Sequence, residues 1–259
     1  MDNPDDLERE YSPSSRAGGS AEPFIADYRA RSAVARARLG PRVRDLGAGT
    51  LLVEAGPGAP LLVFIHGGYW QALSAADSLF LAPAALAHGW SYAAIEYTLA
   101  PAAALPTMVE ECRTALAALA ATAAPSATVL SGHSAGAHLA AMAALVQPSP
   151  LPLDLLLLVS GVYDLRPLVH TTVNDPLGMD EAAAAALSPM LLPVIDQRPQ
   201  TLVTWGENDT DAFKRQGRTF AQRLSAPAIE SHGHHHFDIV DEIVTLSVRT
   251  IAPQPPARG

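Results

Sequence analysis

The stretch Val129-Leu130-Ser131-Gly132-His133-Ser134-Ala135-Gly136-Ala137-His138-Leu139 runs from apolar residues through a glycine-flanked turn into small helix formers. It reads as a buried strand, a sharp turn and a helix, with Ser134 at the tip in the pattern G-x-S-x-G. Gly132 and Gly136 leave room for such a turn, because a side chain at either place would collide with neighbouring backbone. A turn of this kind lifts a serine hydroxyl clear of a sheet. The pattern is short, so its meaning depends on what stands before and after it.

Working outward, Ala127 to Ser131 is the strand feeding the turn, and Ala135 to Gln147 the helix leaving it, stopped by Pro148. Upstream, Thr50 to Glu54, Pro60 to Ile65 and Trp90 to Tyr97 read as strands. Ala75 to His88 has helical composition despite Pro83, and Pro106 to Ala123 is an alanine-rich helix with proline at its start. Pro23 to Leu39 is a further helix with arginines along one side, either a surface helix or a lid over the site. Downstream, Leu153 to Ser160 is apolar nearly throughout, as suits a strand covered on both faces. An irregular region from Gly161 to Pro193 contains a helical run at Asp180 to Leu187. Strands at Gln200 to Trp205 and Pro227 to Glu230 then alternate with helices at Asp211 to Leu224 and Asp238 to Ile251. Such alternation predicts an α/β fold, a mainly parallel central sheet with helices on both faces. With no repeat and no linker, residues 1–259 are expected to form a single domain, with an irregular polar arm at 1–22 and a frayed tail at 252–259.

Composition narrows the function. The chain has 259 residues, 49% of them hydrophobic, enough for one large core. A net charge of -9 argues against nucleic acid and anionic membrane as partners and mainly suggests solubility; the expected partner is a small-molecule substrate. Cys112 is the single cysteine, so no internal disulfide can form. The acidic start Met1-Asp2-Asn3-Pro4-Asp5-Asp6 lacks the order of a signal peptide, and no apolar run approaches the roughly 20 residues that span a bilayer. A cytoplasmic protein is expected.

A serine hydroxyl needs a base, usually a histidine held by a carboxylate, and donors for the oxyanion. In chain order Ser, acid, His, the acid belongs after a later strand and the histidine in a loop nearer the C-terminus. Asp209 follows the strand ending at Trp205; Glu207 is the neighbouring alternative, while Asp211 suits the first turn of the next helix. The loop His232-Gly233-His234-His235-His236-Phe237-Asp238 offers four histidines, of which His236, directly before Phe237 and the final helix, is preferred. The cluster also invites a metal reading, but it lacks the i, i+4 spacing and an accompanying Cys or Glu pair, so no metal and no cofactor is expected. Glycines in His66-Gly67-Gly68-Tyr69-Trp70 let backbone approach an oxyanion, which makes the amides of Gly68, Tyr69 and Ala135 the candidate oxyanion hole.

His66-Gly67-Gly68, Tyr97-Thr98-Leu99-Ala100-Pro101 and Gly132 to Gly136 resemble the hormone-sensitive-lipase-like branch of the α/β-hydrolases. Glu10-Tyr11-Ser12-Pro13-Ser14, His66 to Gln71, Gly132 to Leu139, Ser160 to Leu168, Ser188-Pro189, Phe213-Lys214-Arg215-Gln216 and His236-Phe237-Asp238 are similar to the arylformamidases (kynurenine formamidases), and together they span nearly the whole chain. The resemblance implies an α/β-hydrolase fold and hydrolysis of an aryl formamide, N-formylkynurenine giving kynurenine and formate. A general carboxylesterase or amidase using the same residues is the alternative. Tyr69, Trp70 and Tyr163 are candidate substrate-binding residues, each with plain packing as the competing role. A homodimer is compatible with the family, though no interface is legible. One departure concerns the arm: Ser15-Arg16-Ala17-Gly18-Gly19-Ser20 lacks the aromatic residue expected there, so substrate choice would differ if the arm covers the pocket.

Overall fold

The apolar runs become strands with no exposed residue. In the computed structural model, which describes residues 4–251, β3 (Leu61–Ile65), β4 (Ser91–Ile95), β5 (Thr128–His133) and β6 (Leu155–Val159) are buried throughout. They are joined by β1 (Arg44–Asp45), β2 (Leu51–Val53), β7 (Gln200–Gly206) and β8 (Ala228–Ser231) in one eight-stranded sheet of order β1-β2-β4-β3-β5-β6-β7-β8. The β1–β2 and β2–β4 pairs are antiparallel; every other neighbouring pair is parallel. Side chains alternate between two apolar layers: Leu61, Val63 and Ile65 face one, Leu62 and Phe64 the other.

The first layer is covered by α4 (Leu105–Thr122), α5 (Ala135–Ala141) and α7 (Asp211–Leu224), and the second by α2 (Glu22–Leu39), α3 (Ala82–Ala87) and α8 (Glu242–Ile251). α1 (Pro4–Glu10) and α6 (Glu181–Ala186) add Leu7, Ala183 and Ala184 to the first layer. This is the α/β-hydrolase fold. No helix among the described residues is long and apolar enough to cross a membrane.

Several local expectations are corrected. The arm at 1–22 is not irregular where it is described: α1 is followed by a 3-10 turn over Pro13–Arg16, and the Tyr11 side chain is buried in the first layer. Pro83 does not interrupt a helix, because a 3-10 segment ends at Leu81 and a fresh helix starts at Ala82, leaving the proline in its first turn. The helix after Ser134 loosens into a π turn at Met142–Val146. β1 was not foreseen, since two exposed polar residues carry no strand periodicity. The tail at 252–259 lies outside the described residues.

Strand order reverses at β3, which sends β4 to one side and β5 to the other. Loops leaving the C-terminal ends of β3 and β5 therefore diverge around a crevice, where open α/β sheets place their ligands. α5 runs back directly over this point. A Cβ on Gly136 would lie 2.1 Å from the Ile65 carbonyl oxygen, so helix and strand meet backbone to backbone. Gly136→Ala is expected to lower unfolding stability by at least ~1–3 kcal/mol through overpacking. Gly56→Ala, where nothing lies within 4 Å of the added carbon, is expected to change it little. Urea unfolding of both variants checks the contrast.

Candidate active site

Ser134 sits between β5 and α5 with φ 55° and ψ -120°, a region L-residues rarely occupy and one that costs about 1–3 kcal/mol. The strain is held by a hydrogen bond from its N–H to the Val159 carbonyl, 2.9 Å, and by α5 packed against β3. Its side chain lines a cavity of about 310 Å³ together with His133, His236, Gly68, Tyr69 and residues of the N-terminal arm. A larger cleft of about 630 Å³ near Glu96, Glu111 and α4 contains none of Ser134, Asp209 and His236.

Asp209 and His236 lie on the loops after β7 and β8, and both are buried. His236 Nδ1 donates to Asp209 Oδ1 at 2.9 Å, and the second carboxylate oxygen accepts from Ser160 Oγ at 2.7 Å. An ionised carboxylate only accepts, so the His236 proton is on Nδ1 and Nε2 is left with its lone pair. The edge of Phe213 meets the imidazole at 4.6 Å between centroids, and Phe237 lies 5.3 Å away. Ser134 and His236 line the same cavity, and among the described residues no hydrogen bond joins Ser134 Oγ to the ring. Such bonds are often long before substrate binds.

Rival residues are engaged elsewhere. Glu207 is exposed and accepts from the Gly233 N–H, which holds its carboxyl below the usual range. Asp211 pairs at the surface with Arg16 and Lys214. His232 pairs with Glu207, His234 with Asp238, and His235 Nδ1 accepts from the Phe237 N–H. Among the described residues, no group of three or more His, Cys, Asp or Glu is placed to hold a metal ion.

Gly67 has to be glycine because Ser134 is so close: a Cβ there would stand 2.9 Å from the His133 carbonyl and 3.1 Å from Ser134 Cβ. Gly68 and Tyr69 follow in left-handed conformation and reach the cavity wall. Ala135 opens α5, where a helix leaves its first N–H groups without helical partners.

Of the candidate substrate-binding residues, only Tyr69 lines the cavity; its hydroxyl donates to the Tyr11 carbonyl at 2.6 Å. Trp70 and Tyr163 do not. Trp70 turns into the core, edge-on to His138, and Tyr163 stacks on Phe220 at 4.1 Å. Both are large apolar rings, and the layer beneath the loops absorbs them.

Sequence reasoning missed the residues that hold the site in place. Ser160, at φ 45°, orients Asp209. His133 Nε2 donates to the His236 carbonyl at 2.7 Å and ties the serine turn to the histidine loop. Gln216, buried in α7, accepts from the N–H groups of Tyr163 and Asp164 and donates to Tyr11 Oη. Glu8, Ser12, Pro13 and Ser14 form one wall of the cavity. Glu8 carried no signal at all, and for the others the only signal was their presence inside motif-like stretches, because their partners are distant in sequence.

Strand order, strained serine turn and buried histidine–aspartate pair define an enzyme of the α/β-hydrolase class. A family model described as BD-FAE matches residues 53–154. The chain is 32% identical to the kynurenine formamidase of Salmo salar, covering 93% of this chain and 92% of that one, and 32% identical to that of Danio rerio over 74% and 70%. It belongs to the kynurenine formamidase family. A crystal structure of a Silicibacter sp. TM1040 protein, described as a candidate thioesterase, superposes with TM-score 0.81 at 29% identity, covering 92% of this chain and 94% of that one. A Pyrobaculum calidifontis esterase shares the fold, with TM-score 0.67 at 18% identity over 88% and 94%.

Two buried histidines link the site to acid stability. Burial, then the nearness of His236, pushes His133 down to about 3, and burial pushes His138, whose Nε2 donates to the Leu187 carbonyl, down to about 4. Both are neutral when folded but protonate below about pH 6.5 when unfolded, so the unfolded chain gains protons as pH falls. Unfolding free energy is expected to drop between about pH 6.5 and 4 by ~1.4 kcal/mol per pH unit for each histidine. Denaturant unfolding across that range measures the slope, and His138→Gln should make it shallower.

Proposed function

We propose that the chain is a serine hydrolase that cleaves an aryl formamide, N-formylkynurenine to kynurenine and formate. The observation supporting the chemistry is the 2.9 Å bond that leaves His236 Nε2 as a free base in the cavity of Ser134. The substrate class rests on the kynurenine formamidases matched over most of their length.

In this reading Ser134 Oγ attacks the formyl carbonyl while His236 Nε2 takes its proton. Asp209 holds the ring and stabilises the imidazolium, with Ser160 fixing the carboxylate's other oxygen. The amides of Gly68, Tyr69 and Ala135 receive the oxyanion, a contribution of about 2.7–4 kcal/mol per donor in comparable sites. His236 then protonates the departing arylamine, which as an anion would leave very poorly. Water activated by His236 attacks the formyl-enzyme and releases formate. The enzyme needs no bound metal or cofactor for these steps. A cytoplasmic setting suits a chain whose single cysteine, Cys112, is a buried free thiol.

Ser134→Ala is expected to abolish turnover while the fold persists, and His236→Ala to reduce kcat by several orders of magnitude, far more than His234→Ala or His235→Ala. Steady-state kinetics with circular dichroism of each variant checks this; loss in His234→Ala equal to that in His236→Ala contradicts the assigned base. On substrate class, kcat/KM for N-formylkynurenine is expected to exceed that for p-nitrophenyl acetate. The reverse order would make the protein a general esterase.

A further inference from the structure

The cavity around Ser134 is lined mainly by apolar and hydroxyl-bearing groups, among them Ile25, Leu73, Val173, Ser12 and Ser14. One lining residue carries a formal charge outside the histidines: Glu8, contributed by the N-terminal arm. No Lys or Arg is among the lining residues, and the arm's own Arg9 and Arg16 pair with Asp6 and Asp211. His133 is held neutral by burial, and both oxygens of Asp209 are engaged behind His236. Glu8 therefore sets the sign of the cavity.

Its carboxylate is also held in place. Thr172 donates its N–H at 2.8 Å to one oxygen and its Oγ–H at 2.5 Å to the other. Each oxygen keeps a lone pair able to accept a further donor. A formyl group puts little more than one hydrogen beyond the reacting carbonyl, so the remaining lining meets the leaving group.

We propose that Glu8 is a specificity-determining residue that binds an ammonium substituent on the leaving group. The site thereby takes aryl formamides whose departing amine carries a side chain with a primary ammonium, as that of N-formylkynurenine does beside its carboxylate, in preference to counterparts that lack the ammonium. The inference rests on Ser134 being the nucleophile of this cavity, as proposed above. The fixed carboxylate belongs to a half-buried residue in the cavity wall, where a charge pair is worth somewhat more than on a fully open surface.

The test uses two matched series, aryl formamides and aryl acetates, each carrying the same side chain ending in ammonium, methyl or carboxylate. The ammonium-to-methyl ratio of kcat/KM is read within each series, so it does not depend on which bond the enzyme prefers. The wild type is expected to favour ammonium over methyl by about fivefold and to disfavour carboxylate. Glu8→Gln, which keeps an acceptor for the Thr172 N–H and offers a donor to its hydroxyl, is expected to bring the ratio close to one. In the wild type the ratio should also shrink as salt is raised from about 20 mM to about 500 mM. No ammonium preference in the wild type, or a ratio unchanged by Glu8→Gln, overturns the proposal. If Glu8→Gln does not fold, a salt-independent wild-type ratio overturns it. Turnover of the acetates alone, with a ratio that collapses in Glu8→Gln, supports the role of Glu8 and contradicts the formamide reading.

Discussion

Everything at this site depends on how closely α5 approaches β3. The helix can begin right at Ser134 only because Gly136 presents no side chain to the Ile65 and His66 carbonyls, and because Gly132 yields the same space to the helix backbone. With helix and strand in backbone contact, the chain must reverse within a single residue, and that residue takes up the strained conformation of Ser134. The Ser134 N–H bond to Val159 on the neighbouring strand then ties the strained residue to the middle of the sheet. Strain of this kind persists only where the surroundings over-determine it, and here fully buried strands on either side supply that constraint.

From this anchor the other groups are reached through loops that the sheet fixes at its C-terminal edge. Asp209 and His236 come from adjacent strands β7 and β8, which explains how residues 27 positions apart share one hydrogen bond. Their loops are braced from both sides: His133 holds the His236 carbonyl from the serine turn, and Ser160 holds Asp209 from the end of β6. A side chain on a loop gains its precision from such braces, since loop backbone alone leaves it too free.

The N-terminal arm belongs to the same arrangement. The Tyr11 carbonyl takes the Tyr69 hydroxyl, the Glu10 carbonyl takes the Thr210 hydroxyl, and Glu8 engages Thr172. One short segment thus touches the glycine loop after β3, the residue following Asp209 and the region before α6. It forms one wall of the cavity and contributes the Glu8 carboxylate to its lining. The departure from family pattern after Ser14 falls at the end of this segment, just past the wall formed by Ser12, Pro13 and Ser14.

The sequence by itself determined the α/β alternation, the family, and Ser134 as the residue at the turn. These are written in local signals: apolar runs of strand length, glycines flanking a serine, prolines at helix starts. It also narrowed the acid and base to a few neighbours, with Asp209 and His236 preferred. Only tertiary structure shows that Asp209 and His236 are buried and paired with each other while Glu207 and the adjacent histidines are engaged elsewhere, because that depends on which side chain turns inward from a loop, and loops carry no periodicity. For the same reason Trp70 and Tyr163, aromatic and close to the motifs, were expected at the cavity but pack in the core. Ser160, Gln216, His133 and Glu8 act through partners from 49 to 205 positions away. Contacts across such separations exist only once the sheet order brings the strand ends together, so no local pattern could announce them.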